Sequence, residues 1–228
     1  MSIDTTARVS RLGVADADRG TSKSAIAVAV LPKEVPLKRA FDVAIGIVLS
    51  VVTLPLQVLA LLMSAISFRA FPVFRQRRLG LHGEEFTMVK VRSLPATAPS
   101  EAAKTELSDV ENSLVGRFLR KSHFDETIQF WQVATGTLSL VGPRPEMIGL
   151  SAEYDQTFVQ NRTSVRPGIT GLWQVSTACD GLIGEAPEFD EYYVENRTWP
   201  MEIWIMWQTA VKIITGKRSD YGELSQPS

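Results

Sequence analysis

The chain has 228 residues, 45% of them hydrophobic, with 24 Lys and Arg against 25 Asp and Glu for a net charge of −1; that is enough for one main domain with appendages, and two full domains would be cramped. The near-neutral total hides an asymmetry: residues 33–92 hold nine Lys and Arg against four acids, and residues 93–228 eleven against eighteen, which points the basic part at an anionic membrane surface more than at nucleic acid. A single cysteine, Cys179, rules out an internal disulfide and fits a reducing compartment, and no CxxC or HExxH spacing offers a transition-metal site.

Residues 1–37 have no early apolar run, and Asp4, Asp16 and Asp18 lie among their basic residues. They do not read as a secretory signal. A mostly flexible leader is expected, ending at Pro32 and Pro36.

From Val43 to Phe68 no residue is charged. As one helix this run would be about 39 Å long, more than a bilayer core of about 30 Å, so a plain transmembrane anchor is one reading. The other is a re-entrant hairpin over residues 38–68, because Pro55 breaks the run into two arms each too short to cross alone. Lys33, Lys38 and Arg39 precede it and Arg69, Arg75, Arg77 and Arg78 follow it. Positive flanks stay cytoplasmic, and a hairpin satisfies both. The Thr53 hydroxyl is expected to bond a backbone carbonyl near the break.

Beyond the hairpin, EEFTMVKVRSL alternates as a strand entered through a turn at Gly80 and Gly83. Residues 95–109 read as a polar loop, and Ser113 to Lys121 as a short basic helix. In SHFDETIQFWQ, residues 122–132, Ser122 and Asp125 loosely match a capping box, and Phe124, Ile128 and Trp131 follow at helical spacing. Asp125 and Glu126 then have a plain reading as acids in a first helical turn. The prolines beside Arg144 stiffen GPRPE, and Arg166 precedes a second stiff turn, Pro167–Gly168. Arginines held this way suit bidentate recognition of phosphate, or a structural salt bridge. From Trp199 to Ile214 the spacing gives a helix with Ile203, Trp207, Ala210, Val211 and Ile214 on one face, suited to a core or to a membrane interface.

Seven ordered stretches carry a resemblance: KRAFDVAIG (38–46), PVFRQRRLG (72–80), FTMVKVRSL (86–94), VGRFLRKSHFDETIQFWQV (115–133), LSLVGPRPE (138–146), VRPGITGLWQV (165–175) and FDEYYVENRTW (189–199). With the proline-broken apolar segment, they resemble the bacterial sugar transferases, the monotopic polyprenyl-phosphate phosphoglycosyl transferases. The resemblance implies an α+β, mainly helical, membrane-associated monotopic fold, with a small strand element and a catalytic domain over residues 69–228 that carries interfacial helices. It implies transfer of a sugar 1-phosphate from a UDP-sugar donor to a polyprenyl phosphate acceptor with release of UMP, at the cytoplasmic face of the bacterial inner membrane.

The same resemblance makes Asp125 the nucleophile, through an aspartyl-phosphosugar intermediate, and Glu126 the Mg²⁺ ligand beside it. Arg120, Arg144, Arg166 and Asp190 become candidate substrate-binding residues. Expected partners are the two substrates and membrane lipid, with no nucleic acid; homo-oligomerisation stays open. An Asp at a helix N-terminus is expected to be ionised at neutral pH. Three places depart from the family pattern: Glu111 and Ser113 replace an Arg and a Thr, Thr127–Ile128 replaces Leu-Pro, and Ser176–Thr177–Ala178 replaces Asn-Gly-Arg. These leave room for a different sugar, or for a non-catalytic scaffold of the same fold. A hydrolase that uses the acid pair to activate water is a third reading.

Overall fold

The computed structural model describes residues 35–98 and 113–218. Most of the expected leader, much of the polar loop after Pro95, and Glu111 lie outside the described residues. Helix α1 runs Pro36–Val52 and α2 Leu54–Phe68, with Thr53 between them and a bend of 60°. Each helix has a proline in its first turn, where the missing N–H costs no hydrogen bond. The helix thus starts inside the stretch expected to be leader, and the break falls at Thr53, just before Pro55. The Thr53 hydroxyl donates to the Leu49 carbonyl at 2.6 Å, as expected. No single helix among the described residues is long and apolar enough to cross a membrane; α1 and α2 meet that requirement only together.

The hairpin is patterned opposite to a water-soluble amphipathic helix. Its buried positions are Lys38, Asp42, Gly46 and Ser50 on α1 and Gln57, Ala60 and Ser64 on α2, all small or polar. Its exposed positions include Val48, Val51, Val52, Leu59, Leu62 and Ile66. In water the apolar stripe would turn inward. The polar inner face is fully engaged: Lys38 lies 2.8 Å from Glu202 and 3.3 Å from Asp42, Ser139 donates to Asp42 at 2.6 Å, and Ser64 donates to the Arg92 carbonyl at 2.7 Å. At Gly46, α1 passes so close to Val133 and Ala134 that a side chain would have to displace them.

Strands β1, Val73–Leu79, and β2, Glu85–Val91, form an antiparallel hairpin in the register Arg75↔Val89 and Arg77↔Thr87. The turn between them uses left-handed backbone at His82 and Gly83. Helix α3, Leu114–Lys121, is capped by the Ser113 hydroxyl, which accepts from the Gly116 N–H at 3.0 Å. A 3₁₀ segment, Phe124–Gln129, leads into α4, Phe130–Thr135. Strand β3, Ser139–Val141, pairs in parallel with β4, Gly168–Thr170; three residues each is too little to read from alternation. Between them lie α5, Ile148–Glu153, and α6, Gln156–Thr163; α7, Leu172–Val175, α8, Glu188–Asn196, and α9, Trp199–Thr215, follow. The architecture is mainly helical with small sheet elements, as expected.

The main core packs Val133, Leu138, Val141, Val165, Leu172 and Ile205 around the short parallel pair. Helix α9 contributes to it through Ile205 and buries Glu202, while Ile203, Trp207 and Ile214 are exposed, Trp207 by 65%. The apolar face seen in the sequence therefore points outward, which excludes its reading as core.

Candidate active site

The acid pair sits where three elements meet. Ser122 ends α3, its hydroxyl donating to the Phe118 and Leu119 carbonyls at 2.8 and 3.2 Å. It closes the helix before the pair, so the expected capping box with Asp125 is absent. His123 takes a left-handed conformation, φ 58°, which reverses the chain. Asp125 and Glu126 then fall in the first turn of the 3₁₀ segment, and their partners come from strand β2 and the residues just after it. Lys90 Nζ donates to Glu126 Oε1 at 2.6 Å, and the Ser93 hydroxyl to Asp125 Oδ2 at 3.3 Å.

This setting separates the two carboxyls. Burial, and then the charge of Glu126, raise the Asp125 pKa to about 6, against the opposing pull of Lys90 and Ser93. For Glu126 burial also pushes upward, but the Lys90 and Arg144 charges outweigh it and hold the group down at about 2. Asp125 is thus ionised at neutral pH as expected, but its setting, not a helix dipole, decides its proton affinity. Desolvation dominates, and Asp125 remains mostly ionised at pH 7 with its proton affinity increased. Adjacent acids with diverging pKa values are a mark of assigned chemical roles.

Arg144 completes the cluster, since its charge acts on Glu126 and on Arg78. Its side chain makes no hydrogen bond among the described residues, whereas the loop that carries it is held at four consecutive carbonyls. Gly168 N–H donates to Pro143 at 2.9 Å, Arg162 Nη2 to Arg144 at 2.8 Å, Arg78 Nη1 to Pro145 at 3.3 Å, and Leu79 N–H to Glu146 at 3.0 Å. With its own backbone fixed, the Arg144 guanidinium is the donor that this loop still has to offer. Gly142 and Gly168 cross so closely that a side chain carbon on either would collide with the other's strand.

The other expected residues separate. Arg120, half-buried in the last turn of α3, has no side-chain hydrogen bond among the described residues, so its donors suit an incoming anion. Arg166 is not brought to the acid pair: it donates to the Gly136 carbonyl and lines a different cavity with Lys38, Arg39, Asp42 and Arg197. Asp190 is only 2% exposed and pairs inside the protein with Arg162, whose Nη2 lies 2.9 Å away. That burial leaves Asp190 little surface for the expected contact with substrate, and its partner Arg162 also donates to the Arg144 carbonyl.

The structure adds Lys90, Ser93, Arg78 and Glu146, which the sequence does not single out for the site. Arg78 is buried, 3.3 Å from Glu146, and burial followed by the Arg144 charge lowers its pKa to about 10. A charged residue in a strand of otherwise apolar neighbours, as in VKV, was the available signal for Lys90.

No group of three or more His, Cys, Asp or Glu able to hold a metal ion occurs among the described residues. Two adjacent carboxylates are too few for a closed protein site. They do fit Mg²⁺, which takes one or two carboxylates and completes its shell with waters and substrate phosphates.

The family model for bacterial sugar transferases matches residues 33–216. Among curated relatives, the UDP-galactose-lipid carrier transferase of Erwinia amylovora is 32% identical over 76% of this chain and 39% of its own length. The undecaprenyl-phosphate galactose phosphotransferase of Salmonella typhimurium is 33% identical over 78% of this chain and 40% of its own. The chain therefore spans about two fifths of these relatives. It is also 29% identical to the exopolysaccharide production protein ExoY of Sinorhizobium fredii, over 80% of this chain and 87% of that protein.

Proposed function

Because the chain belongs to the bacterial sugar transferase family, we propose that it transfers a sugar 1-phosphate from a UDP-sugar to polyprenyl phosphate, with Asp125 as nucleophile. The observation that carries this reading is the acid pair itself: a buried Asp125 with a raised pKa beside a Glu126 held ionised by Lys90, next to an Arg144 on a fixed loop. Relatives named as undecaprenyl-phosphate sugar phosphotransferases and an exopolysaccharide production protein support the substrate classes and a role at the start of exopolysaccharide assembly.

In the first step an Asp125 carboxylate oxygen attacks the sugar-bearing phosphorus. The bond from that phosphorus to the bridging oxygen breaks, and UMP leaves with the electron pair. In the second, a phosphate oxygen of the lipid attacks the same phosphorus and Asp125 departs as carboxylate. Storing the phosphosugar covalently lets a soluble donor and a membrane-held acceptor use one site in turn. Arg144 and Arg120 bind the phosphate oxygens and face the charge that develops on them. Glu126, together with the diphosphate, would hold Mg²⁺, an ion that supplies charge neutralisation at those oxygens. Arg162, paired with Asp190, positions Arg144 through its backbone.

The α1–α2 pair is read as a re-entrant hairpin whose apolar outer face meets lipid and whose polar inner face meets the domain, with both ends at the cytoplasmic surface. Helix α9 lies at the same interface through Ile203, Trp207 and Ile214. The site would then sit at headgroup depth, where the acceptor phosphate is found.

The test is UMP release from a panel of UDP-sugars with undecaprenyl phosphate and Mg²⁺, in wild type and Asp125→Asn. Activity in the wild type alone, with a hexose-phosphate mass increment on the Asp125 peptide when acceptor is withheld, is the expected result. An active Asp125→Asn variant would end this assignment.

A further inference from the structure

The break in the hairpin is wired to the acid pair by one side chain, Gln57. It sits one turn into α2, is 3% exposed, and belongs to a helix whose other faces are apolar. Its amide nitrogen lies 2.8 Å from Thr53 Oγ1 at the break, 3.3 Å from the Ser50 carbonyl at the end of α1, and 3.4 Å from the Thr127 carbonyl, immediately after Glu126. Its amide oxygen accepts from Trp131 Nε1 in α4 at 3.0 Å. The 3₁₀ segment bearing the acids is therefore held from the strand side by Lys90 and Ser93, and from the hairpin side by Gln57.

Two of the four interactions of the amide are long-range in the chain, 70 residues to Thr127 and 74 to Trp131, and the other two tie it to the break itself. In apolar surroundings a satisfied hub of this kind fixes geometry more firmly than the same bonds would in water, because every alternative leaves a polar group unpaired. A 3₁₀ turn has poorer internal hydrogen bonds than an α-helix and depends more on such outside support. Resting on the function proposed above, we infer that Gln57 is a positioning residue that couples the bend of the membrane hairpin to the placement of Asp125 and Glu126. The acids would then be correctly set only when the hairpin holds its bent form.

The test uses the full chain in phosphatidylglycerol nanodiscs, comparing wild type with Gln57→Met, which keeps the volume and removes the amide, and with Trp131→Phe, which removes the donor to Gln57 Oε1. Two readouts are taken: hydrogen exchange of the peptide covering residues 124–129, and kcat and KM with UDP-galactose and UDP-N-acetylgalactosamine. In Gln57→Met, exchange of that peptide should rise about tenfold while β1–β2 is unchanged, and kcat should fall by about tenfold or more at constant donor KM, the scale expected when reacting groups are misplaced by a fraction of an ångström. Trp131→Phe should move both in the same direction by a smaller factor, and it decides the matter if Gln57→Met does not fold. Unchanged exchange at 124–129, a rise spread evenly over the chain, or wild-type kcat in the variants would overturn the inference. A wild type inactive with every donor, with the local exchange effect intact, would sink the proposed function and leave the coupling standing.

Discussion

Lys90 Nζ meets Glu126 Oε1 at 2.6 Å across 36 residues of chain, so strand β2 supplies the cation that keeps one of two adjacent acids charged. Both side chains are less than a quarter exposed, 17% and 23%, so the pair is shielded enough to matter. Lys90→Met should cost about 1–3 kcal/mol by stranding Glu126 without a partner. Adding Glu126→Gln should recover part of that loss, and urea unfolding of the two single variants and the double should show it as a clear departure from additivity.

The acid limb of activity should lie unusually high. Asp125 must be ionised to attack, and its pKa stands at about 6. Plotted against pH, kcat/KM should fall roughly tenfold per unit below that value, where an ordinary aspartate would hold full activity to about pH 4. A limb near pH 4 would mean that Asp125 titrates in the free enzyme as an ordinary carboxyl, without the upward shift.

The same raised pKa implies a stability cost. The folded state binds a proton at Asp125 between about pH 4 and 6 that the unfolded chain does not, so stability falls as pH rises through that window and stays lower above it. Asp125→Asn removes the charge and keeps an acceptor for Ser93. Melting at pH 8 should show the variant more stable by roughly 1–3 kcal/mol, with the difference vanishing below about pH 4.

Arg162 should separate binding from folding. Arg162→Lys keeps a charge beside Asp190 but loses the Nη2 bond to the Arg144 carbonyl. Donor KM should rise about tenfold, the equivalent of one lost positioning bond, with a melting temperature near that of wild type. Asp190→Asn, by contrast, leaves a buried guanidinium unpaired and should cost about 3–5 kcal/mol of stability.

What could be read from sequence was local. The charge-free run, the proline break, the β1–β2 turn glycines and the stiff GPRPE loop each announce themselves within a few residues. The acid pair became conspicuous through the ordered stretches around it. The partners of the site were hidden, because Lys90–Glu126, Arg162–Asp190 and Arg78–Glu146 join residues 36, 28 and 68 apart, and nothing in one strand names its counterpart. Ser122 misled for a different reason. A serine three residues before an acid fits an N-cap, but the left-handed turn at His123 ends one helix there before the next begins.

The inward side of the hairpin, from Lys38 through Asp42, Ser50 and Gln57 to Ser64, makes the anchor specific to this body. A generic oily anchor of matching hydropathy, grafted in its place, would bring hydrocarbon against groups that now receive an ammonium, a hydroxyl or an amide. Chimeras should work only when the two parts are transferred together.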